Sequence, residues 1–545
     1  MRRSYQGFGV LLLGLIGVGA VAQVQAQVPL PPDVGDILQE RREAPEMPQV
    51  SAPLEIETPV LQPVEPGGPT VRLQAIELTG NTVFTTEILL GELGEIAGME
   101  VDLAGLRALA DQLMAFYQRQ GYLFATVFLP AQTADEGRVR MDIIEGQFGV
   151  VEASGDDARL VAGTNQRLSV LTPGDVITSN ALERTTLLLE DLPGLAIEPV
   201  IRPGEQFGTG DLQINVSLEQ PYAFQLGLDN HGNRYTGYHR VRFDAQANSL
   251  IGFGDQLSLR TLYSEEDFLL GSLTYSRPLG RDGLRVTASY AYTSYELGRD
   301  FSALGFEGRA EITSLGLSYP LIRSEALNLT LASSLQYKDL EDRAPDRDDN
   351  KTSRSLPVSL SFDRRDRFGG GGLWFGSLSV MPGEIGLSEA QRAEDVLGIH
   401  GSYAVFNLDL IRVQALPIDA LSLYARYSSQ WADSNLDSSE SFSLAGPTGV
   451  RAYPVGEVSG DEGWLAQTEL RYRYGMFAPY VFYDIGSVTS QPSTTLAGAG
   501  IGTRLNYQRL TLDAGAAWRT RGDRPADLNE SDQRPRAWFS ATLAF

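Results

Sequence analysis

Cysteine is absent from all 545 residues, which removes thiol nucleophiles, disulfides and sulfur-ligated metals together. Histidine occurs three times, too seldom for a His-rich metal centre. Positive charge is also scarce: 44 Lys and Arg stand against 69 Asp and Glu, so the formal charge is 44 − 69 = −25. That balance repels DNA and RNA and argues against a partner held by phosphate contacts. Long apolar runs are confined to Gly7–Ala22, too short for a spanning helix, which needs roughly 20 apolar residues. The run follows Arg2 and Arg3 and leads to Ala20-Val21-Ala22 and Val24-Gln25-Ala26, so a secretory signal peptide over 1–26 is expected. Its removal takes the charge to −25 − 2 = −27. No Gly-Lys-Ser/Thr follows Gly369–Gly372, which reads as a turn, and no Gly-x-Ser-x-Gly elbow accompanies His231, His239 or His400. Neither a nucleotide site, a cofactor, a metal nor an enzyme activity is expected.

What is plentiful is glycine (57) and aromatics (22 Tyr, 22 Phe, 5 Trp), a composition suited to a large β-structure. Residues 27–70 hold ten of the 28 prolines and read as an extended arm. Asp33–Ala44, DVGDILQERREA, is proline-free and long enough for three helical turns. Residues 71–148 read as β-α-α-β-β: a strand over Val71–Thr79, a helix over Thr85–Ile96, and a second helix capped by Asp102 with Leu106, Leu109, Leu113, Phe116 and Tyr117 at helical spacing. Gly121 ends it, and strands at Ala125–Leu129 and Arg138–Ile144 follow. Residues 149–221 repeat the order, with helices over Asp157–Val170 and from a Ser179 cap to Leu192, and strands at Ala196–Arg202 and Asp211–Glu219. Two copies without catalytic residues suggest a duplicated docking module.

From Tyr222 to Phe545 the period is two. Leu327, Leu329, Leu331, Leu335 and Tyr337 alternate with polar residues, as do Trp464, Ala466, Thr468, Leu470 and Tyr472. A soluble sandwich alternates in the same way. Connection lengths separate the two: short ones (278–283, 322–326, 417–420) intersperse with long polar ones expected at 296–311, 339–354, 383–401, 433–463 and 520–536, the asymmetry of an outer-membrane barrel. The 324 residues divide into sixteen strands at about twenty per strand and connection. The chain closes on WFSATLAF, which puts Phe539, Ala541, Leu543 and Phe545 on one face. The fold class is thus a transmembrane β-barrel of sixteen antiparallel strands behind two periplasmic α/β modules.

These features resemble a known family over essentially the whole mature chain. LRALADQLMAFYQRQGYLFATVFLPAQ (106–132) and MDIIEGQ (141–147) are similar to signatures of its POTRA modules. Asp229-Asn230-His231-Gly232-Asn233 with Thr236-Gly237 looks like its first outer hairpin. Val450-Arg451-Ala452-Tyr453 and Phe482-Tyr483-Asp484-Ile485-Gly486 resemble its VRG(F/Y) and FxDxG motifs. The family is that of the two-partner-secretion transporters of the TpsB, or haemolysin secretion/activation, type. The resemblance implies an outer-membrane pore, with POTRA domains at 71–148 and 149–221 and a barrel at 222–545, that passes one large secreted partner from periplasm to cell surface. It also implies that residues 33–44 plug the lumen on a tether of 45–70. The partner would be an adhesin or cytolysin with an N-terminal secretion domain, and the other contact outer-membrane lipid.

Val450, Arg451, Tyr453, Phe482, Asp484 and Gly486 are the residues expected to anchor the sixth outer loop and support secretion. Loop 433–463 carries Gly446, Pro447 and Gly449 and can fold inward. Asp484 shares a face with Phe482 and Gly486, opposite Val481, Tyr483 and Ile485. If that second set meets lipid, Asp484 faces the lumen and can pair with Arg451. Ala452 stands where the family usually has glycine, and a positive φ would be costly there. Alternatives are an insertase of the related barrel-assembly superfamily and a solute porin. Asp346, Asp348 and Asp349 lack the calcium-loop glycine and terminal glutamate, and Arg521-Gly522-Asp523 reads as a chance tripeptide in an outer loop.

Overall fold

The computed structural model describes residues 31–39, 47–48, 55–56, 66–345, 347–489, 493–523 and 534–545. The expected signal peptide and most of the arm, including 40–44 of the expected helix, lie outside them.

The first module is built on a three-stranded sheet in which Ala75–Thr79 runs parallel to Arg138–Ile144, with Thr126–Phe128 antiparallel on the other side. Thr86–Leu93 and Leu103–Arg119 cover it. The Asp102 side chain accepts from the Gly105 N–H, and Gly121 follows with φ 89°. Leu73 and Gln74 interrupt the strand expected over 71–79, leaving Val71–Arg72 to pair separately with Glu100–Val101. Glu145 locks the module. Its buried carboxylate accepts from the backbone N–H of Thr82 and Val83 (2.8 Å each), the Thr82 hydroxyl and Tyr117 Oη (2.8 Å). Burial and then the bond to Glu145 raise the Tyr117 pKa.

The second module repeats this topology. Gln147–Ser154 is parallel to Thr209–Leu218, and Leu195–Pro203 is antiparallel to it. Its helices are Ala158–Leu168 and Ser179–Glu190. The second helix is capped by Thr178 rather than Ser179, because the Thr178 hydroxyl reaches the Ala181 N–H. Two residues of the arm, Glu55 and Ile56, add a parallel strand beside Val200 and Ile201.

The remainder is a closed barrel of sixteen antiparallel strands among the described residues, from Tyr222–Asp229 to Arg536–Ala544. The eighth strand is broken at Leu356-Pro357 without a change of register, since proline cannot donate to the ladder. An even count brings the first and last strands together antiparallel, through Gln225↔Ala544 to Asp229↔Ser540. Tyr290, Leu315, Leu335, Val481 and Ile501 are exposed on the outer wall, as a lipid-facing surface requires.

One expected loop is a strand. Residues 339–344 and 347–354 continue the ladder of Leu327–Ala344 and Arg347–Ser355, with Ala344 opposite Arg347. A hairpin rising beyond the bilayer has no lipid on its outer face, so alternation of polarity stops while backbone pairing does not. The expected connection 383–401 likewise shrinks to 388–400 and contains a helix, Glu389–Glu394, opened by a Ser388–Gln391 capping box.

Candidate functional site

The connection between the eleventh strand, Leu421–Ala432, and the twelfth, Glu462–Tyr472, folds back into the barrel. Its fold is partly local. Phe442–Ser443 pairs with Ser459–Gly460, the Val450 N–H donates to the Leu444 carbonyl (2.8 Å), and Val450 and Tyr453 are fully buried. Leu444, Val450 and Tyr453 then form one apolar cluster with Leu465, Phe482 and Leu496 of the barrel wall.

Arg451 is the polar centre of this contact. Its Nε donates to Asp484 Oδ2 (2.8 Å) and its Nη2 to Asp484 Oδ1 (2.6 Å). The Arg451 backbone N–H also donates to Asp484 Oδ2 (3.1 Å), and Nη1 donates to Glu469 Oε1 (2.5 Å). The guanidinium lies 3.6 Å from the centroid of the Phe482 ring. Burial alone would lower the Arg451 pKa, but its bonds to Asp484 and the charges of Asp484 and Glu469 win and raise it. Strand pairing sets this geometry: Gln467 stands opposite Asp484 and Glu469 opposite Phe482, so both carboxylates point to one spot on the lumen wall.

Every sequence-predicted residue falls in this place. Gly486 is required by close approach, since a Cβ there would lie 2.4 Å from Leu444 Cδ1. Tyr453 Oη donates to the Arg521 carbonyl (2.9 Å), which draws the start of Arg521-Gly522-Asp523 against the loop. Ala452 does not adopt positive φ, so the anticipated strain does not arise. Its methyl takes room left by Gly498, where an added Cβ would sit 2.5 Å away. Sequence reasoning missed Glu469, Gln467, whose amide holds the Gly449 carbonyl (2.8 Å), and Trp538, whose Nε1 donates to the Arg451 carbonyl (2.6 Å). The only signal for Glu469 and Gln467 was their place on the polar face of an alternating strand.

A second body shares the lumen. Val34–Gln39 is helical, with the Asp33 carboxylate accepting from the Asp36 N–H (3.0 Å). Val34, Ile37 and Leu38 are buried against Phe268, Leu270, Tyr295 and Leu340. Lys351 Nζ bridges Asp33 Oδ2 and Asp437 Oδ2 (2.9 Å each), and the Val34 N–H donates to Asp342 Oδ1 (2.8 Å). Gly35 leaves no room, since a Cβ would lie 2.0 Å from Ser438 Oγ in the inward loop. Helix, loop and barrel wall therefore pack against one another.

The three histidines stay apart. His231 stacks edge-on with Trp538, His239 meets Glu265 (2.8 Å) and His400 Nδ1 meets the Ile385 carbonyl (2.9 Å). No metal-binding cluster occurs among the described residues.

Residues 208–505 match the model of the haemolysin secretion/activation protein family ShlB/FhaC/HecB. The chain belongs to that family. Residues 71–146 match the ShlB-type POTRA domain. The chain is 28% identical to the heme/hemopexin transporter protein HuxB of Haemophilus influenzae (strain 86-028NP), over 77% of this chain and 75% of HuxB. It is 23% identical to the hemolysin transporter protein ShlB of Serratia marcescens, covering 82% and 83% of the two chains. The solved structure of CdiB from Escherichia coli superposes with a TM-score of 0.72 at 20% identity, covering 94% of this chain and 95% of that one. This member of the haemolysin secretion/activation family is an outer-membrane transporter of the two-partner-secretion type, with its POTRA modules in the periplasm. Membership decides against the insertase and porin alternatives.

Proposed function

We propose that the transporter passes a single large exoprotein, an adhesin or cytolysin with an N-terminal secretion domain, and that the anchored sixth loop is required for passage. The inward loop carries this reading. A passive pore has no use for an arginine held by two buried carboxylates, whereas a conduit for an unfolded chain needs a fixed inner surface and a removable stopper. ShlB, named as a hemolysin transporter, agrees with a cytolysin as cargo. The two modules would capture an extended segment of the substrate at a sheet edge, and Val34–Gln39 would be the stopper.

The energetics suit a stopper that leaves. Burying Val34, Ile37 and Leu38 contributes about 5–9 kcal/mol at about 1.5–3 each. Ordering the six residues of the helix costs about 6–12 kcal/mol at about 1–2 each. The difference is small, and the ion pair of Lys351 with Asp33 tips it toward docking.

Co-expression with a candidate exoprotein that carries a signal peptide and an N-terminal secretion domain tests the assignment. Surface appearance of that protein should depend on the transporter and fall when residues 71–221 are removed; export that persists without the transporter refutes it.

A further inference from the structure

The second module meets the barrel through its helices. Arg323 forks onto Asp191 (2.8 and 2.8 Å), Arg184 donates to the Pro320 carbonyl (2.8 Å), and Glu183 accepts from the Glu325 N–H (2.6 Å). Arg184 also lines a cavity of about 230 Å³. Arg167 and Arg184 line it from the module, Arg281 from the barrel turn at 279–284, and Val170, Leu171 and Leu188 supply an apolar wall.

Arg167 is the anomaly. It is 6% exposed, and its guanidinium lies over the Phe253 ring, 5.1 Å from the centroid. Among the described residues it has no ion pair and no hydrogen bond, whereas Arg184 and Arg281 are tied to neighbouring backbone and hydroxyl oxygens. Burial and then the positive charge of Arg285 lower its pKa to about 10. The one carboxylate at the cavity, Asp282, is exposed, and it is the Asp282 backbone carbonyl that faces Arg184 (3.4 Å). In a chain of net charge −25, guanidinium groups gathered without a counter-ion stand out. A buried charge is strongly unfavourable unless something neutralises it.

We propose that this cavity binds a phosphate ester, the headgroup of an inner-leaflet phospholipid, which bridges Arg167 and Arg184 of the module to Arg281 of the barrel. Three observations favour lipid over a free anion. The turn joins two lipid-facing strands, so the cavity stands at headgroup level. Leu279 in that turn is exposed, as a residue meeting the membrane interface would be. The wall of Val170, Leu171 and Leu188 gives a glycerol backbone an apolar seat that inorganic phosphate would not use. Planar guanidinium forks match phosphate oxygens, and basic pockets at a membrane face take anionic headgroups. The lipid would act as a strut that fixes the module beneath the pore.

The test uses the full-length transporter in non-ionic detergent, titrated calorimetrically with dihexanoyl phosphatidylglycerol and, separately, with inorganic phosphate. One saturable lipid site is expected, with inorganic phosphate at least tenfold weaker. R281Q, an exposed change, should weaken lipid binding at least tenfold, and R167M should abolish it. If R167M fails to assemble, R281Q decides alone. Phosphate binding as tightly as the lipid would overturn the lipid assignment in favour of a free anion. No saturable site, or lipid binding unchanged in R281Q, would overturn the proposal altogether.

Discussion

Replacing Arg451 by alanine strips the guanidinium from two carboxylates at once. Asp484 is fully buried and Glu469 is 4% exposed. Glu469 keeps Arg471 (2.7 Å) and Arg504 (3.2 Å), so the stranded charge is that of Asp484. Removing one partner of a buried pair costs about 3–5 kcal/mol. At about 1.4 kcal/mol per tenfold, the anchored loop should lose about 10²- to 4 × 10³-fold in population. Asp484→Ala should be milder, because Arg451 keeps its bond to Glu469 (2.5 Å). Arg451→Lys should rescue little, since one ammonium cannot reproduce the fork to Asp484 together with the bond to Glu469. The absence of native cysteine makes the assay direct. Thr448→Cys places a single thiol in the loop, and its labelling by a bulky maleimide on intact cells reports loop release beside partner export. Labelling should accelerate and export fall in Arg451→Ala, while the barrel keeps its heat-resistant mobility. In a double-mutant cycle, Arg451→Ala with Asp484→Ala should be no worse than the worse single variant. Simple addition of the two losses would refute the anchored-loop reasoning.

Other outcomes follow from the lumen and the first module. Gly35→Val should prevent docking of Val34–Gln39, because of the 2.0 Å approach to Ser438 Oγ, and raise conductance in planar bilayers; unchanged conductance would remove the helix from the pore. Burial, and then Asp33, push the Asp36 pKa up to about 7. The docked helix therefore holds a proton that the free one releases, so docking weakens as pH rises from about 4 to 7. Channel opening should increase over that window, and Asp36→Asn should flatten the response. Glu145→Ala leaves two N–H groups and two hydroxyls without their acceptor, and should destabilise the first module by about 2–4 kcal/mol, read as faster proteolysis of the periplasmic segment.

The barrel was legible because lipid and lumen impose opposite chemistry on alternate residues, and the same logic gave the face of Asp484. The double carboxylate was not. Glu469 and Asp484 meet Arg451 through cross-strand register, a property of two strands that neither displays alone. The hairpin at 339–354 was misread because its outer face meets no lipid above the bilayer, so polarity loses its period, while the apolar partners of Leu340 on its inner face come from residues 34–38, far away in sequence. Ala452 was expected to strain the loop through a positive φ that the residue does not adopt, and the room for its methyl belongs to Gly498, 46 residues away. The helix at 33–39 stood out between prolines, but its partners span Phe268 to Ser438 and carry no local mark.

The arm is held at both ends, by the helix in the pore and by Glu55–Ile56 on the second module. Between Gln39 and Glu55 the chain advances 55 − 39 = 16 residues, a reach of at most about 55 Å. A helix that leaves the lumen on such a leash cannot diffuse away. Its return is an intramolecular event at an effective concentration on the order of millimolar. With the helix as the proposed stopper, the membrane's permeability barrier would be restored by a segment that never left the neighbourhood, at a rate independent of how many transporters the cell makes.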